Sequence, residues 1–246
     1  LEPSCFSGSH GVQHASAREN AVPVSARGGA RRSPLHGNTG ARGNHLYAAV
    51  LPPLKSFCQH VNTWAHYAQS PGRMIETHHL VSRLTEDVLQ CIVFDSDQAN
   101  ARIIGVEYIV AESVFKKLPE EEKHLWHSHY YEICEGLWVN PGVPEVMQQQ
   151  ELKKLVKTYG KFWNTWQFDR GDLLPLGPPA LMLSPQDHPL GRVPCAVLEQ
   201  RDAGLGIETG EKQEQRETVL VDKEWAATGK DRAADWWMES GTGPLR

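Results

Sequence analysis

Four histidines in two short segments have the spacing that a metal site requires. His127 and His129 are separated by one residue, so on an extended segment both imidazoles project from the same face, about 7 Å apart along the chain. This separation suits two ligands of one metal ion. Because adjacent residues on a strand point to opposite faces, only one of the neighbouring pair His78 and His79 is expected to join them.

The carboxylates Glu76, Glu132 and Glu135 lie close to these histidines in the sequence and offer oxygen ligands. A site with three nitrogen or oxygen ligands and one open position fits zinc or non-haem iron. The alternative interpretation is that the histidines are hydrogen-bonded core or surface residues that bind nothing. The predicted metal-ligand set comprises His78, His79, His127, His129 and Glu132.

Other motifs that carry chemistry do not fit the sequence. The His-x-His pair invites comparison with the cupin pattern, but the carboxylates follow His129 by three and six residues and the later PxG…H element is missing. The sequence contains no G-x-S-x-G elbow, no G-x-G-x-x-G or Walker loop, and no H-E-x-x-H spacing. It therefore assigns no catalytic residue and no cofactor-binding residue other than the histidine cluster.

Composition divides the 246 residues into unequal parts. Residues 1–50 contain seven Gly, six Ser and three Pro but no Lys or Trp, and they show no helical or strand period. Such a segment buries too little apolar surface to offset its ordering entropy, so we predict that it is disordered. Residues 51–202 are predicted to form one domain. Residues 203–246 are charged and poor in large apolar residues until the Trp pair at 236–237, which predicts a flexible segment with a Trp-rich anchor.

Charge and cysteine content exclude several classes of protein. Subtracting the five Arg and two Glu of residues 1–50 leaves 20 basic and 28 acidic side chains, a net charge of −8, which is a poor match for nucleic acid or an anionic membrane surface. No apolar run is long enough to span a bilayer, and no secretory signal is recognisable. Five widely spaced cysteines without a CxxC pair predict reduced, mostly buried thiols of an intracellular protein.

The elements that must position the histidines follow from the hydrophobic pattern. Apolar residues recur at helical spacing over 53–69, which predicts an amphipathic helix that faces either the core or a lipid surface. The remaining predictions are strands at 88–94, 102–110, 130–139 and 161–168, helices at 111–117, from 118 and at 151–158, and a packed Pro-rich loop at 173–183. Short helices interspersed with strands, without a βαβ rhythm, predict an α+β fold with a mainly antiparallel sheet.

Four collinear segments resemble the oil body-associated protein family, long catalogued as a domain of unknown function. They are THHLVSRLTEDVLQCIVFDSD (77–97), ARIIGVEYIV (101–110), LPEEEKHLWHSHYYEICEGLWVNPGVPE (118–145) and TYGKFWNTWQFDRGDLLPLGPPALMLSPQD (158–187). The resemblance implies an intracellular protein at the lipid-droplet surface, without an established enzymatic activity. The predicted metal-ligand set matches the family pattern, whereas Ala65 and Gln69 stand where relatives often carry His.

Two functional hypotheses follow. The first is a non-enzymatic lipid-droplet protein with a role in oil body structure or stability, located at the droplet surface or in the cytoplasm. It would attach through partner proteins, through the loop at 173–183, or through the helix at 53–69. The alternative is a metal-dependent enzyme or a small-ligand binding protein that uses His127 and His129, with zinc or iron as the metal.

Overall fold

Antiparallel strands form the framework that carries the histidines. The computed structural model describes residues 51–240. Its strands are β1 (Gln59–Tyr67), β2 (Ser70–Thr85), β3 (Val88–Phe94), β4 (Ile103–Ala111), β5 (His127–Ser128), β6 (Thr158–Asn164) and β7 (Ala180–Leu183). All of their pairings are antiparallel. The predicted antiparallel sheet is therefore confirmed, as is the hairpin between β3 and β4.

The sheet closes on itself. Its strand order is β4-β3-β2-β1-β7-β6-β5, and β4 also pairs with β6, so six strands complete a barrel. The seven-residue pairing from Gly105↔Asn164 to Ala111↔Thr158 makes this closure. The short strands β5 and β7 share the other edge of β6, where β5 pairs with Tyr159 and Gly160. Closure places one face of every strand in the interior.

Short helices surround the sheet, as an α+β fold predicts. They are α1 (Pro52–Lys55), α2 (Glu112–Phe115), α3 (Glu120–Lys123), α4 (Tyr130–Cys134), α5 (Glu145–Leu155), α6 (Cys195–Leu205), α7 (Thr209–Leu220) and α8 (Trp237–Ser240). Pro119 and Pro144 stand at the N-caps of α3 and α5, where a missing backbone N–H costs nothing. Carboxylates follow in both first turns, next to the positive end of the helix dipole.

The main core fills the barrel and continues under the helices. Alternate residues of the strands point inward, as strand geometry requires. The interior residues include Val61, Ala65, Ile75, Val81, Leu89, Cys91, Val93, Ile109, Phe162 and Met182. Ile133 of α4 and Leu152 of α5 belong to the same cluster. A second cluster lies around Phe115 and Tyr159, whose rings stack with centroids 3.8 Å apart.

The helix predicted at 53–69 is wrong, because most of that segment is β1. Only Pro52–Lys55 is helical. The last seven residues of β1 are all buried. The inner face of β1 lines the barrel, Arg201 of α6 contacts Asn62 on the outer face, and Val139 bridges to the edge of the strand. A strand covered on both faces lacks the alternation that marks a half-buried one, so its apolar residues happened to match a helical spacing.

The strand predicted at 130–139 is also wrong. Its first half forms the helix α4, and only Val139 makes a strand-like bridge, to Asn62. The turn after α4 is held by the backbone N–H groups of Leu137 and Trp138, which both donate to the carbonyl of Glu132. Aromatic residues at 130, 131 and 138 pack in this short helix and turn, and they gave the segment its strand-like composition.

Three further predictions need adjustment. Helix α5 begins six residues before the predicted start at 151, and β6 begins and ends before the predicted bounds of 161–168. The loop predicted to pack at 173–183 divides in two. Ala180–Leu183 is the buried strand β7, whereas Leu173, Leu174 and Leu176 are exposed.

The chain from 203 onward is more ordered than predicted. The expected domain boundary at 202 falls inside α6, and the 12-residue helix α7 buries Arg216 and Leu220. The sequence pattern did not predict α7, because its side chains are mostly long and polar and its central buried residue is an arginine instead of an apolar residue. Trp237 is 1% exposed and packs with Leu181 and Leu183.

Three predictions remain, which concern residues 1–50, the cysteines and membrane-spanning segments. The disorder predicted for 1–50 lies outside the described residues. Cys58, Cys91 and Cys134 are free thiols, of which Cys91 and Cys134 are buried and Cys58 is exposed. Among residues 51–240, no helix combines the length and the apolar character needed to cross a bilayer.

Candidate functional site

A carboxylate outside the predicted metal-ligand set occupies the centre of the site. Glu107 lies on β4 between Gly105 and Ile109 on the inward face, and it is 2% exposed. It pairs across the sheet with Cys91 on β3 and Phe162 on β6. A charged group at this depth requires partners of opposite charge or strong hydrogen bonds.

Histidines provide those partners from two directions. His127 Nε2 lies 3.1 Å and His129 Nε2 3.4 Å from the same oxygen, Glu107 Oε1. The imidazoles of His127 and His129 are both buried, with ring centroids 5.2 Å apart. His79 approaches from β2, with Nδ1 2.9 Å from the other oxygen, Glu107 Oε2. The structure thus brings together three of the four predicted histidines.

Gly160 on β6 makes room for this convergence. It pairs with Ile109 of β4 on one side and with His127 of β5 on the other. A Cβ at Gly160 would overlap Glu107 Oε1 and would lie 2.6 Å from the Nε2 atoms of both His127 and His129. The three polar atoms therefore surround a common point, and only glycine leaves it free.

Glu132 lies at the margin of the cluster. Its Oε1 is 3.9 Å from His129 Nε2, and its Oε2 accepts a 2.5 Å hydrogen bond from Thr63 Oγ1. Two groups have potential ligand atoms that all lie within 4.8 Å of one another. One consists of Glu107, His127 and His129, and the other of His79, Cys91 and Glu107. Glu132 belongs to neither group. It adjoins the site without completing it.

His78 does not join the cluster, because its strand directs it to the opposite face from His79. Its Nδ1 lies 3.0 Å from His60 Nε2, and the two rings stack with centroids 5.3 Å apart. This pair lines a surface pocket of about 320 Å³ together with Phe94 and Asp97. Burial, followed by the proximity of the other histidines, lowers the pKa of both His60 and His78.

Electrostatics inside the barrel shift the pKa values of Glu107 and Glu132 in opposite directions. Burial alone would raise the pKa of Glu107, but hydrogen bonds with His127 and His129 and the proximity of His79 hold it well below its usual range. Burial likewise opposes charge on His127, yet the Glu107 carboxylate outweighs it and raises the pKa of that imidazole. Burial raises the pKa of Glu132 despite the nearby His129. One carboxylate is therefore firmly ionised beside another that resists ionisation.

The space at the cluster is small. A cavity of about 10 Å³ is lined by residues that include Thr63, His79, Glu107, His127 and Glu132. This volume is close to the minimum for a single water molecule. An organic substrate does not fit there without rearrangement of the barrel, so the arrangement suits an ion or a water molecule.

A signal for Glu107 was present in the sequence. The segment RIIGVEYIV places one carboxylate in the middle of an otherwise apolar strand, and such a residue is rarely buried without a partner. The predicted oxygen ligands Glu76, Glu132 and Glu135 instead lie near the histidines in the sequence. Glu107 precedes His127 by 20 residues, and only the β4–β6–β5 pairing brings them together.

Fold and site together define an α+β protein with a closed antiparallel sheet whose interior holds a Glu–His cluster. The family model described as "Protein of unknown function (DUF1264)" matches residues 51–220. The chain belongs to this family, which includes the oil body-associated proteins that the sequence motifs resemble. No solved structure matches the chain.

Curated relatives carry names that describe their location. The chain is 50% identical over 188 residues to oil body-associated protein 2A of Zea mays, covering 76% of this chain and 73% of that protein. It is 47% identical over 197 residues to oil body-associated protein 2B of Zea mays, covering 80% and 77%. Oil body-associated protein 2A of Arabidopsis thaliana is 45% identical over 193 residues, covering 78% and 76%.

Proposed function

We propose that this protein associates with the surface of oil bodies and has a non-catalytic role in their structure or stability. The observation that carries the proposal is its similarity to proteins named for oil body association, which reaches 50% identity over three quarters of the chain. The small volume at the buried cluster also favours a role other than the turnover of an organic substrate.

The loop after β6 is the best candidate for contact with the lipid surface. Leu173, Leu174 and Leu176 are 88%, 61% and 59% exposed. Adjacent exposed leucines are uncommon on a protein that stays in water, and they favour an apolar contact. Removing a leucine side chain from water is worth about 2 kcal/mol. Three partly exposed leucines therefore supply about 4 kcal/mol, or about a thousandfold in partitioning.

The base of this loop is held firmly. Asp169 accepts hydrogen bonds from Tyr67 Oη at 2.7 Å and from Arg73 Nε at 2.5 Å. Trp166 Nε1 donates to the carbonyl of Asp172 at 2.8 Å. A loop anchored in this way presents its leucines at little further cost in conformational entropy. By contrast, the predicted amphipathic helix at 53–69 is unavailable for attachment, since most of it is β1.

Flotation with artificial oil droplets tests the proposal. We expect wild-type protein to float with triacylglycerol droplets coated with neutral phospholipid. For the triple variant Leu173→Asp/Leu174→Asp/Leu176→Asp, the fraction of protein that floats with the droplets should fall at least tenfold, because the apolar contact is removed. The matched control is Val146→Asp/Met147→Asp on α5, whose side chains are 74% and 72% exposed.

The control separates two kinds of outcome. If flotation is lost in Val146→Asp/Met147→Asp but not in the triple leucine variant, the loop is not the site of attachment and α5 is. A wild-type protein that stays in the aqueous phase, both with artificial droplets and with oil bodies isolated from seeds, would contradict oil body association itself. Circular dichroism of every variant verifies that the fold is intact.

A further inference from the structure

The hydrogen-bond partners of His127 determine which of its nitrogens carries a proton. Its Nδ1 lies 3.3 Å from the backbone carbonyl of Met182. A carbonyl only accepts hydrogen bonds, so Nδ1 is the protonated nitrogen of the neutral ring. The other nitrogen, Nε2, then directs a lone pair toward Glu107 Oε1.

The same logic applies to His129. Its Nδ1 lies 2.9 Å from Thr158 Oγ1. The Thr158 hydroxyl already donates its proton to the carbonyl of Leu155 at 2.6 Å. Oγ1 must therefore accept from His129 Nδ1, and Nε2 of His129 also directs a lone pair toward Glu107 Oε1.

His79 repeats the pattern on the second carboxylate oxygen. Its Nε2 lies 2.9 Å from Thr77 Oγ1, and Thr77 donates to the carbonyl of Thr63. The Nδ1 atom of His79 and the Oε2 atom of Glu107 are 2.9 Å apart. Neither atom has a partner with hydrogen-bond geometry among the described residues. A third imidazole nitrogen without a proton thus lies beside the same carboxylate.

Protons alone satisfy this arrangement poorly. One proton on His127 neutralises Glu107 but leaves the nitrogens of His129 and His79 facing carboxylate oxygens. Protons on all three rings would place three positive charges around one Glu107 carboxylate, and Glu132 beside His129 would offset at most one of the remaining two, which is costly in a buried site. A cation placed among the nitrogens satisfies the lone pairs and the carboxylate at the same time.

We propose that Glu107, His127 and His129 bind one divalent transition-metal ion, with His79 beside the second carboxylate oxygen. Nitrogen and oxygen ligands of this kind suit zinc or iron(II). The separations of 3.1 and 3.4 Å between Glu107 Oε1 and the two Nε2 atoms match the edge of about 3.3 Å of a tetrahedron with ligands at about 2.0–2.1 Å. The carbonyl and hydroxyl partners of the distal nitrogens are those that orient metal-binding histidines.

The surrounding space gives the ion a structural role. The adjoining cavity of about 10 Å³ has room for about one water molecule and none for an organic substrate. The ion joins β4 to β5 and to the start of α4, so its binding energy contributes to folding. Of the predicted ligands, His127 and His129 are retained, Glu107 replaces Glu132, and His78 has no part.

Metal analysis of purified protein tests this site independently of oil body attachment. Wild-type protein should contain about one equivalent of zinc or iron per chain by inductively coupled plasma mass spectrometry. His127→Ala/His129→Ala and Glu107→Gln should lose it. His60→Ala/His78→Ala is the matched control, because it removes two histidines outside the cluster, and it should retain the metal.

Chelation keeps the test decisive if the variants unfold. Wild-type protein stripped by a chelator should melt at a lower temperature and recover when Zn²⁺, or Fe²⁺ under anaerobic conditions, is returned. The melting temperature should rise with metal concentration, since binding to the native state stabilises it. Metal-free protein as isolated, with no thermal shift on addition of either ion, would overturn the proposal. Retention of a full equivalent by a folded double variant would also overturn it.

Discussion

At the scale of single residues, the interior of this protein is organised around a glycine and a glutamate. Glu107 introduces a buried charge, and Gly160 provides the space in which His127 and His129 reach it. The two residues lie on neighbouring strands, β4 and β6. Neither belongs to a recognisable motif, because their roles depend on facing each other across the closed sheet.

Substitution of Gly160 should reveal this dependence. Gly160→Ala places a Cβ within 2.6 Å of three polar atoms, and overpacking of this kind costs about 1–3 kcal/mol. We expect a loss of that size in the free energy of unfolding, measured by urea denaturation. Gly72→Ala on β2 is the matched control, because no atom lies within 4 Å of its Cβ. Equal stability of the two variants would contradict the crowding at Gly160.

At the scale of elements, α7 is held by an arginine in place of an apolar stripe. Arg216 is completely buried. Its Nη1 donates to the carbonyls of Ile133 and Trp138 at 2.8 and 2.9 Å, and its Nε donates to Glu145 Oε1 at 2.6 Å. This side chain connects α7 to α4, to the turn that follows it and to α5. Helix prediction from apolar periodicity fails here, since the contact is polar.

The pH dependence of stability should report this connection. Burial raises the pKa of Glu145, but Arg216 and then Lys212 outweigh it and lower the pKa below its ordinary value of 4.5. A group whose pKa is lowered by folding stabilises the protein above its unfolded pKa and loses that contribution as the pH falls. Glu145→Gln should therefore destabilise the protein at pH 7, with a difference from wild type that shrinks below about pH 4.5.

A second carboxylate on α5 provides the comparison for that measurement. Glu151 pairs with Arg83 where both side chains are about 30% exposed. Partly exposed ion pairs contribute little, so Glu151→Gln should change the free energy of unfolding by less than about 1 kcal/mol. If the two Gln variants lose the same stability at every pH, Arg216 does not hold α7 through Glu145.

At the scale of the whole molecule, charge limits how the protein can meet a lipid surface. Residues 51–246 carry a net charge of −8 from their 20 basic and 28 acidic side chains. Anionic headgroups repel such a chain. This charge favours the proposed attachment by local apolar contact through the exposed leucines of the loop after β6.

Salt dependence tests this mode of attachment. Apolar contact is not screened by ions, whereas attraction between charges is. The fraction of protein that floats with neutral droplets should stay constant or rise between about 0.05 and 0.5 M NaCl. A severalfold fall across that range would point to an electrostatic attachment and contradict the proposed contact.

The sequence by itself determined the local features of this protein. The apolar runs at 88–94 and 102–110 specified a hairpin, the Pro and Glu at 119–122 specified a helix start, and the collinear motifs specified the family. Each of these signals depends on neighbours within a few residues, where backbone preferences and side-chain alternation act directly.

Only the tertiary structure decided the rest. Closure of the sheet through the pairing of β4 with β6 buries the inner face of β1, and α6 covers its outer face. Burial on both faces erases the alternation of β1 and makes it resemble a helix. The same closure brings Glu107 to His127 across 20 residues of chain and sends His78 away from the cluster while His79 enters it. Contacts between distant strands determine these outcomes, and no local pattern in the sequence encodes which strands will meet.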